Sequence, residues 1–129
     1  MPKINNNIKE SINLLISITK KLGANEVSVI GNENTSLSVA ARLGKLENVE
    51  RNESKSIGLR IINNKKQATV STTDLSSDAL KKIAETAIAM VKYVPEDPYC
   101  GLPEEHELYN NNIDLDLNDK YIPSSEDLL

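Results

Sequence analysis

Hydrophobic residues recur along the chain with two different periods, and each period predicts a different element. Near the N-terminus, residues 6–22 carry apolar side chains three or four positions apart, which indicates an amphipathic helix. The stripe consists of Ile8, Ile12, Leu15, Ile16 and Leu22. Asn5, Asn6 or Asn7 can cap its start, and Gly23 is placed to end it with a left-handed residue.

Alternation of apolar and polar residues then predicts strands. A first strand covers about Glu26–Gly31, a turn is expected at residues 31–34, and a second strand begins at Thr35. Gly44 interrupts the alternation and indicates a bulge or bend. The charged run at residues 50–55 is expected to be a hairpin tip or a solvated strand end.

A further hairpin and a second helix follow, and they give the clearest pattern in the chain. Two alternating segments flank the polar turn Asn63–Lys66. The core-facing positions are Ile57, Leu59, Ile61, Ala68, Val70 and Thr72. Gly58, inside the first segment, indicates a bulge or a close approach of another backbone. Ser76 is a suitable N-cap for a helix that runs to about Tyr93, before Pro95. Its apolar stripe consists of Leu80, Ile83, Ala84, Ala87, Ile88 and Val91.

These elements predict an α+β fold: an antiparallel sheet of about four strands, with two helices packed on it, followed by an extended acidic C-terminal strap. The expected boundaries are 1–94 for the α+β domain and 95–129 for a connecting segment. Pro123–Leu129 has the capping residue and acids of a helix start. We therefore expect the chain to be the front part of a longer polypeptide.

Charge and cysteine content narrow the function classes. The net charge is −4 with both signs interspersed, so no basic stripe favours nucleic acid. Cys100 is the single cysteine, which suits a reducing cytoplasm. The apolar run at residues 14–18 is too short to span a bilayer, and no signal peptide is expected.

Candidate catalytic groups are few. His106 is the only histidine, and Asn110 stands where a zinc-protease HExxH helix would need a second one. Cys100 has no neighbouring base in the sequence. The Ser71–Thr73 segment lacks the G-x-S-x-G turn of a nucleophile elbow. Each of these groups is better explained as a surface, spectator or structural residue than as a catalytic residue or a metal ligand.

Arg42 and Arg60 are the charged residues of most interest, because each has outward parity in an otherwise apolar strand. Two interpretations remain open. The arginines cover apolar surface with their stems, or they face another domain or subunit through carboxylate pairs, with Glu47 or Glu50 as candidates.

Two blocks of the chain, residues 41–80 and 84–102, resemble the N-terminal domain of the PmbA/TldD family. The segments GKLENVE, STTDLS and EDPYCGL are most similar to its PmbA, or TldE, branch. The resemblance implies a cytoplasmic protein associated with metal-dependent processing or degradation of small peptides. An older label of the family is modulator of DNA gyrase.

The resemblance also implies different roles for two types of subunit. The TldD-type subunit carries an HExxxH motif for zinc or another divalent metal, and the PmbA-type subunit pairs with it and generally lacks the motif. No HExxxH occurs here. We therefore expect a non-catalytic structural and interface domain without a cofactor. Its expected partners are a TldD-like subunit and the family's C-terminal domain. In the assembled complex a peptide substrate is also expected. The alternative is a stand-alone interaction module, or the remnant of a split gene, without peptidase activity.

Overall fold

A computed structural model describes residues 7–129. The elements are α1 (Ile8–Lys21), β1 (Glu26–Arg42), β2 (Lys45–Asn63), β3 (Lys66–Thr72), α2 (Ser77–Val91) and a 3-10 turn at Glu105–Glu107. The strands form one antiparallel sheet in the order β1-β2-β3. Helix α2 packs on β3, and α1 packs on α2. The predicted α+β class is confirmed, with three strands in the described residues where about four were expected.

Helix α1 begins and ends through local signals in the sequence. The side chain of Asn7 accepts a hydrogen bond from the backbone N–H of Lys9 at 3.0 Å. Asn5 and Asn6, the other candidate caps, lie outside the described residues. Gly23 follows the helix with a φ of 101°, as predicted for a left-handed residue.

The buried side of α1 is more polar than its apolar stripe predicts. Leu15 is fully buried, and Ser11 and Thr19 lie one turn to either side of it, also buried. The Thr19 hydroxyl donates to the Leu15 carbonyl at 2.7 Å, which satisfies it within the helix. Leu22, predicted on the apolar face, is instead 40% exposed.

Both hairpin turns contain two residues with positive φ, a backbone that matches the twist of the flanking strands. Leu43 and Gly44 have φ values of 52° and 73°, and Asn64 and Lys65 have values of 51° and 59°. The sequence predicts the second turn correctly. The expected bulge or bend within a continuing strand at Gly44 is wrong, because this glycine completes the turn between β1 and β2.

Two further expectations about the long strands are wrong. Residues 31–34 do not form a turn, since β1 continues through them as one strand of 17 residues. Residues 50–55 lie inside β2, and all six are exposed. Pairing between neighbouring strands outweighs the turn preference of Gly and Asn at residues 31–34 and the charge of residues 50–55.

The core lies between one face of the sheet and the helices. In β2, Ile57, Leu59 and Ile61 have no exposed surface, as their alternation predicts. The ladder to β3 is regular and pairs Gly58 with Ser71. A β-carbon at Gly58 would meet no atom within 4 Å, so the expected bulge or close backbone approach is wrong.

Helix α2 covers this face with the predicted stripe. Its buried residues are Leu80, Ile83, Ala84, Ala87 and Val91, and Ile88 packs at the edge of the same cluster. Ser76 is the N-cap and accepts from the backbone N–H of Ala79 at 3.3 Å. The helix ends at Val91, two residues before the predicted end.

The described chain divides into two compact units. The first contains residues 7–33 and 54–102, and it holds both helices and the core. The second contains residues 34–53 and 103–129. Among the described residues, no helix combines the length and the apolar character needed to cross a membrane.

The last residues of the second unit form a hydrogen-bonded turn. The Asp127 carboxylate accepts from the Ser124 backbone N–H at 2.8 Å and from the Tyr121 hydroxyl at 2.7 Å. These bonds lower the pKa of Asp127 and raise the pKa of Tyr121. The Ser124 hydroxyl in turn accepts from the Asp127 backbone N–H at 3.2 Å, which is the reciprocal pattern of a helix start.

Candidate functional site

Arg42 and Glu47 flank the turn between β1 and β2. Arg42 is the last residue of β1, and Glu47 is the third residue of β2. Their Nη1 and Oε1 atoms are 3.9 Å apart, and the two side chains are 77% and 56% exposed. Such an exposed pair contributes only about 0–1 kcal/mol. Both charged groups therefore stay accessible to another molecule.

Glu50, the other carboxylate suggested for these arginines, lies within β2 and is exposed. It forms no ion pair with the residues that the structure describes. Its neighbour Arg51 pairs with Glu53, with 3.1 Å between Nη2 and Oε1. Of the four candidate residues, Arg42 meets Glu47, and Arg60 is a residue of the other compact unit.

Arg60 has a hydrogen-bond partner that its position in the alternating pattern of β2 does not indicate. Its side chain is half-buried, and Nη2 donates to the backbone carbonyl of Gly101 at 3.0 Å. Within residues 7–129, its buried Nε has no hydrogen-bond partner. Arg60 therefore holds the segment that follows α2, and this contact is with a carbonyl oxygen rather than with a carboxylate.

Residues 97–101 attach to the β2–β3 hairpin at a second point. The Asp97 backbone N–H donates to the Lys65 carbonyl at 2.6 Å. The Gln67 amide donates to the Asp97 carboxylate at 3.4 Å. Ile62, whose parity is opposite to that of the core residues of β2, is only 4% exposed. We call residues 97–101 the clasp.

Sequence reasoning missed the clasp, although two signals were present. Ile61 and Ile62 are adjacent, so one of them must lie on the face away from the core. Asp97 precedes Pro98 and can hold a turn, and its carboxylate accepts from the Tyr99 backbone N–H at 2.9 Å. Neither signal says which part of the chain covers the second face.

The Thr72–Ser76 segment proves to be a hydrogen-bonded connection into α2. The Thr72 hydroxyl accepts from the Asp74 backbone N–H at 3.0 Å. The Asp74 carboxylate accepts from the Ser76 backbone N–H at 2.9 Å, and these bonds from Ser76 lower the pKa of Asp74. Thr72 thus has a structural role at the end of β3.

The donor set of the described residues does not fit a divalent metal such as the one that the resemblance places in the TldD-type subunit. His106 is highly exposed, and its Nδ1 lies 3.4 Å from a carboxylate oxygen of Glu104. Across residues 7–129, no three His, Cys, Asp or Glu side chains come together as metal ligands would. A protein zinc site needs at least three such ligands. We therefore assign no metal-dependent step to these residues.

The comparison with known families agrees with the resemblance. The family model described as PmbA/TldA metallopeptidase domain 1 matches residues 27–91, just over half of the chain. The chain belongs to the PmbA/TldD family. The matched residues include all of β2, β3 and α2, so the predicted hairpin and the helix that covers it lie within the first domain of this family.

Individual relatives place the chain within the PmbA side of the family. It is 32% identical over 111 residues to a metalloprotease PmbA homolog from Haemophilus influenzae, covering 85% of this chain and 24% of that protein. The chain spans about a quarter of the length of the curated relatives that it matches.

Two solved structures share the fold. TldE from Thermococcus kodakarensis has a TM-score of 0.65 and 16% identity, covering 80% of this chain and 23% of that chain. A Bacteroides thetaiotaomicron protein named as a modulator of DNA gyrase has a TM-score of 0.69 and 16% identity, covering 86% of this chain and 25% of that one.

Proposed function

We propose that this chain is a structural and subunit-interface domain of a PmbA-like component of a cytoplasmic metalloprotease that processes or degrades small peptides. The observation that carries the proposal is that the chain matches a metallopeptidase family but lacks the histidine ligands of a hydrolytic metal site. Residues 27–91 match the first metallopeptidase domain, whereas the 129 residues contain a single histidine. The hydrolytic metal, zinc or another divalent cation, then belongs to a TldD-like partner.

The β1–β2 turn is the proposed contact with that partner. Leu43 at its tip is 95% exposed, and the charged groups of Arg42 and Glu47 stay accessible beside it. An apolar residue with charges around it is the usual composition of a protein interface, in which an apolar centre has a polar rim. We propose that Glu50 extends this contact along β2.

Co-purification with a TldD-like protein from the same genome tests the partner. We expect the tagged chain to retain that protein, and Glu47→Arg to weaken retention about tenfold, because it reverses the charge beside the turn. Glu53→Arg is the matched control, since Glu53 is also an exposed, paired carboxylate of β2. Equal loss with both variants, or no retention by the wild-type chain, would contradict the proposal.

Peptidase assays test the absence of a hydrolytic centre. We expect the purified chain alone to release no product from unstructured peptides, with or without added Zn²⁺. Turnover that a chelator abolishes, and that remains with the chain through successive purification steps, would place a hydrolytic centre on this chain and overturn the proposal.

A further inference from the structure

The outer edge of β1 is long and carries neither of the residues, proline and lysine, that most often block an edge. β1 is an edge strand of the sheet, and it is 17 residues long without interruption. Its sequence has no proline and no lysine, and none of its residues is buried. Across residues 7–129, no backbone hydrogen bond from a loop reaches it. Native edge strands are normally short, bulged, or blocked by Lys or Pro, since unpaired backbone groups invite another strand.

The opposite edge of the sheet differs from β1 in each of these respects. β3 has only seven residues and begins with Lys66. The Lys66 ammonium donates to the Lys92 carbonyl at 3.5 Å, so this lysine also joins the strand to the end of α2. The edge open to another strand is therefore that of β1.

We infer that β1 pairs with β1 of a second copy of this chain, antiparallel, around a twofold axis at Asn34. Among the antiparallel registers, this is the one that pairs β1 along its whole length. This pairing between two copies does not depend on the proposed TldD-like partner.

Charge complementarity supports the antiparallel register. With Asn34 opposite itself, Glu26 of one copy faces Arg42 of the other, and the symmetry repeats this pair at the far end. Both residues are exposed, and the Arg42 side chain is 77% exposed. Opposite charges directly across a pair of strands are stabilising. A parallel arrangement in register would instead set Glu33 against Glu33, which is destabilising.

The apolar residues of β1 match in the same register. Val29 faces Val39, and Val27 faces Ala41, so apolar side chains meet on one face of the joined sheet. All four are half-buried or exposed in the single chain. An isologous interface of this kind closes on itself as a dimer and leaves no further β1 edge open.

Swapping the charges of Glu26 and Arg42 tests the register. Self-association of the 129-residue chain is measured by sedimentation velocity, in the absence of any TldD-like protein. Glu26→Arg and Arg42→Glu should each weaken dimerisation about tenfold, because each turns two attractive pairs into repulsive ones. The double variant should restore it. Arg51→Glu, which breaks an equally exposed ion pair of β2, should leave it unchanged.

Cross-linking tests the axis independently. In a Cys100→Ser background, Asn34→Cys places two thiols opposite each other, about 4.5–5.5 Å apart between their Cα atoms, which suits a disulfide. Ser38→Cys is the control, because in this register it faces Ile30. We expect a disulfide-linked dimer with the first variant alone. A monomer at all concentrations, a double swap that fails to restore pairing, or equal cross-linking at both positions would overturn the inference.

Discussion

Nη2 of Arg60 donates to the carbonyl oxygen of Gly101 at 3.0 Å, joining two residues that are 41 positions apart. This bond holds one end of the clasp, and the bond from the Asp97 N–H to the Lys65 carbonyl holds the other. Arg60 is thus tied to the backbone of its own chain through one nitrogen, and its pairing with an outside carboxylate stays a prediction.

Replacing Arg60 should loosen the clasp. Arg60→Met keeps an unbranched stem but removes the donor, at a cost of about 1 kcal/mol. Local opening should therefore become about fivefold more frequent. Cys100 lies in the clasp, is half-buried and is the single thiol, so its labelling rate with a thiol reagent measures this opening. Arg51→Met should leave the rate unchanged. An unaltered rate in Arg60→Met would show that the hydrogen bond does not hold the clasp.

Gly31 should be sensitive to a single added methyl group. A β-carbon there would lie 2.8 Å from Cδ1 of Ile12 and 2.9 Å from Cγ1 and Cδ1 of Ile8. Gly31→Ala forces the side chains of Ile8 and Ile12 to shift, and we expect a loss of about 1 kcal/mol in the free energy of unfolding. Urea denaturation measures it.

Gly58→Ala is the matched control for that substitution. Gly58 also lies in a strand, but a β-carbon there meets nothing within 4 Å. The alanine variant should be as stable as the wild type or more stable, because glycine loses more conformational freedom on folding. Equal effects of the two substitutions would contradict the close packing at Gly31.

The acid limb of the stability curve should depend on Asp74. Hydrogen bonds from Ser76 lower the pKa of its carboxyl below the ordinary value of 3.8. A lowered folded-state pKa contributes stability that is complete above the unfolded-state value and is lost as the pH falls through the folded-state value. Asp74→Asn keeps an acceptor oxygen and removes the ionisation.

The expected result is a difference in stability between the wild type and Asp74→Asn that depends on pH. Urea unfolding at pH 7 should include the full contribution of the ionised carboxylate, and unfolding at about pH 2 should not. Because Asp74 is fully exposed, the change should be small. A difference that stays constant between the two pH values would show that ionisation of Asp74 plays no part in folding.

Local sequence determined the helices, the β2–β3 hairpin and the core. The caps at Asn7 and Ser76 and the positive φ of Gly23 need only neighbouring residues. The alternation around Ile57 and Leu59 selected the core-facing side of β2, because side chains in a strand point to opposite faces. The family blocks lie in the same residues, which made the family recognisable from sequence.

Contacts between distant residues decided the rest. β1 continues through Asn32 because the neighbouring strand, β2, pairs with β1. The residues of β2 lie too far along the chain for the local pattern around Asn32 to indicate this pairing. Likewise, the partner of Arg60 lies 41 residues away, at Gly101, and the neighbours of Gly31 are side chains of a helix. The pattern of the sequence determined which residues face the core, whereas the tertiary structure decided which arginine stays accessible to a partner.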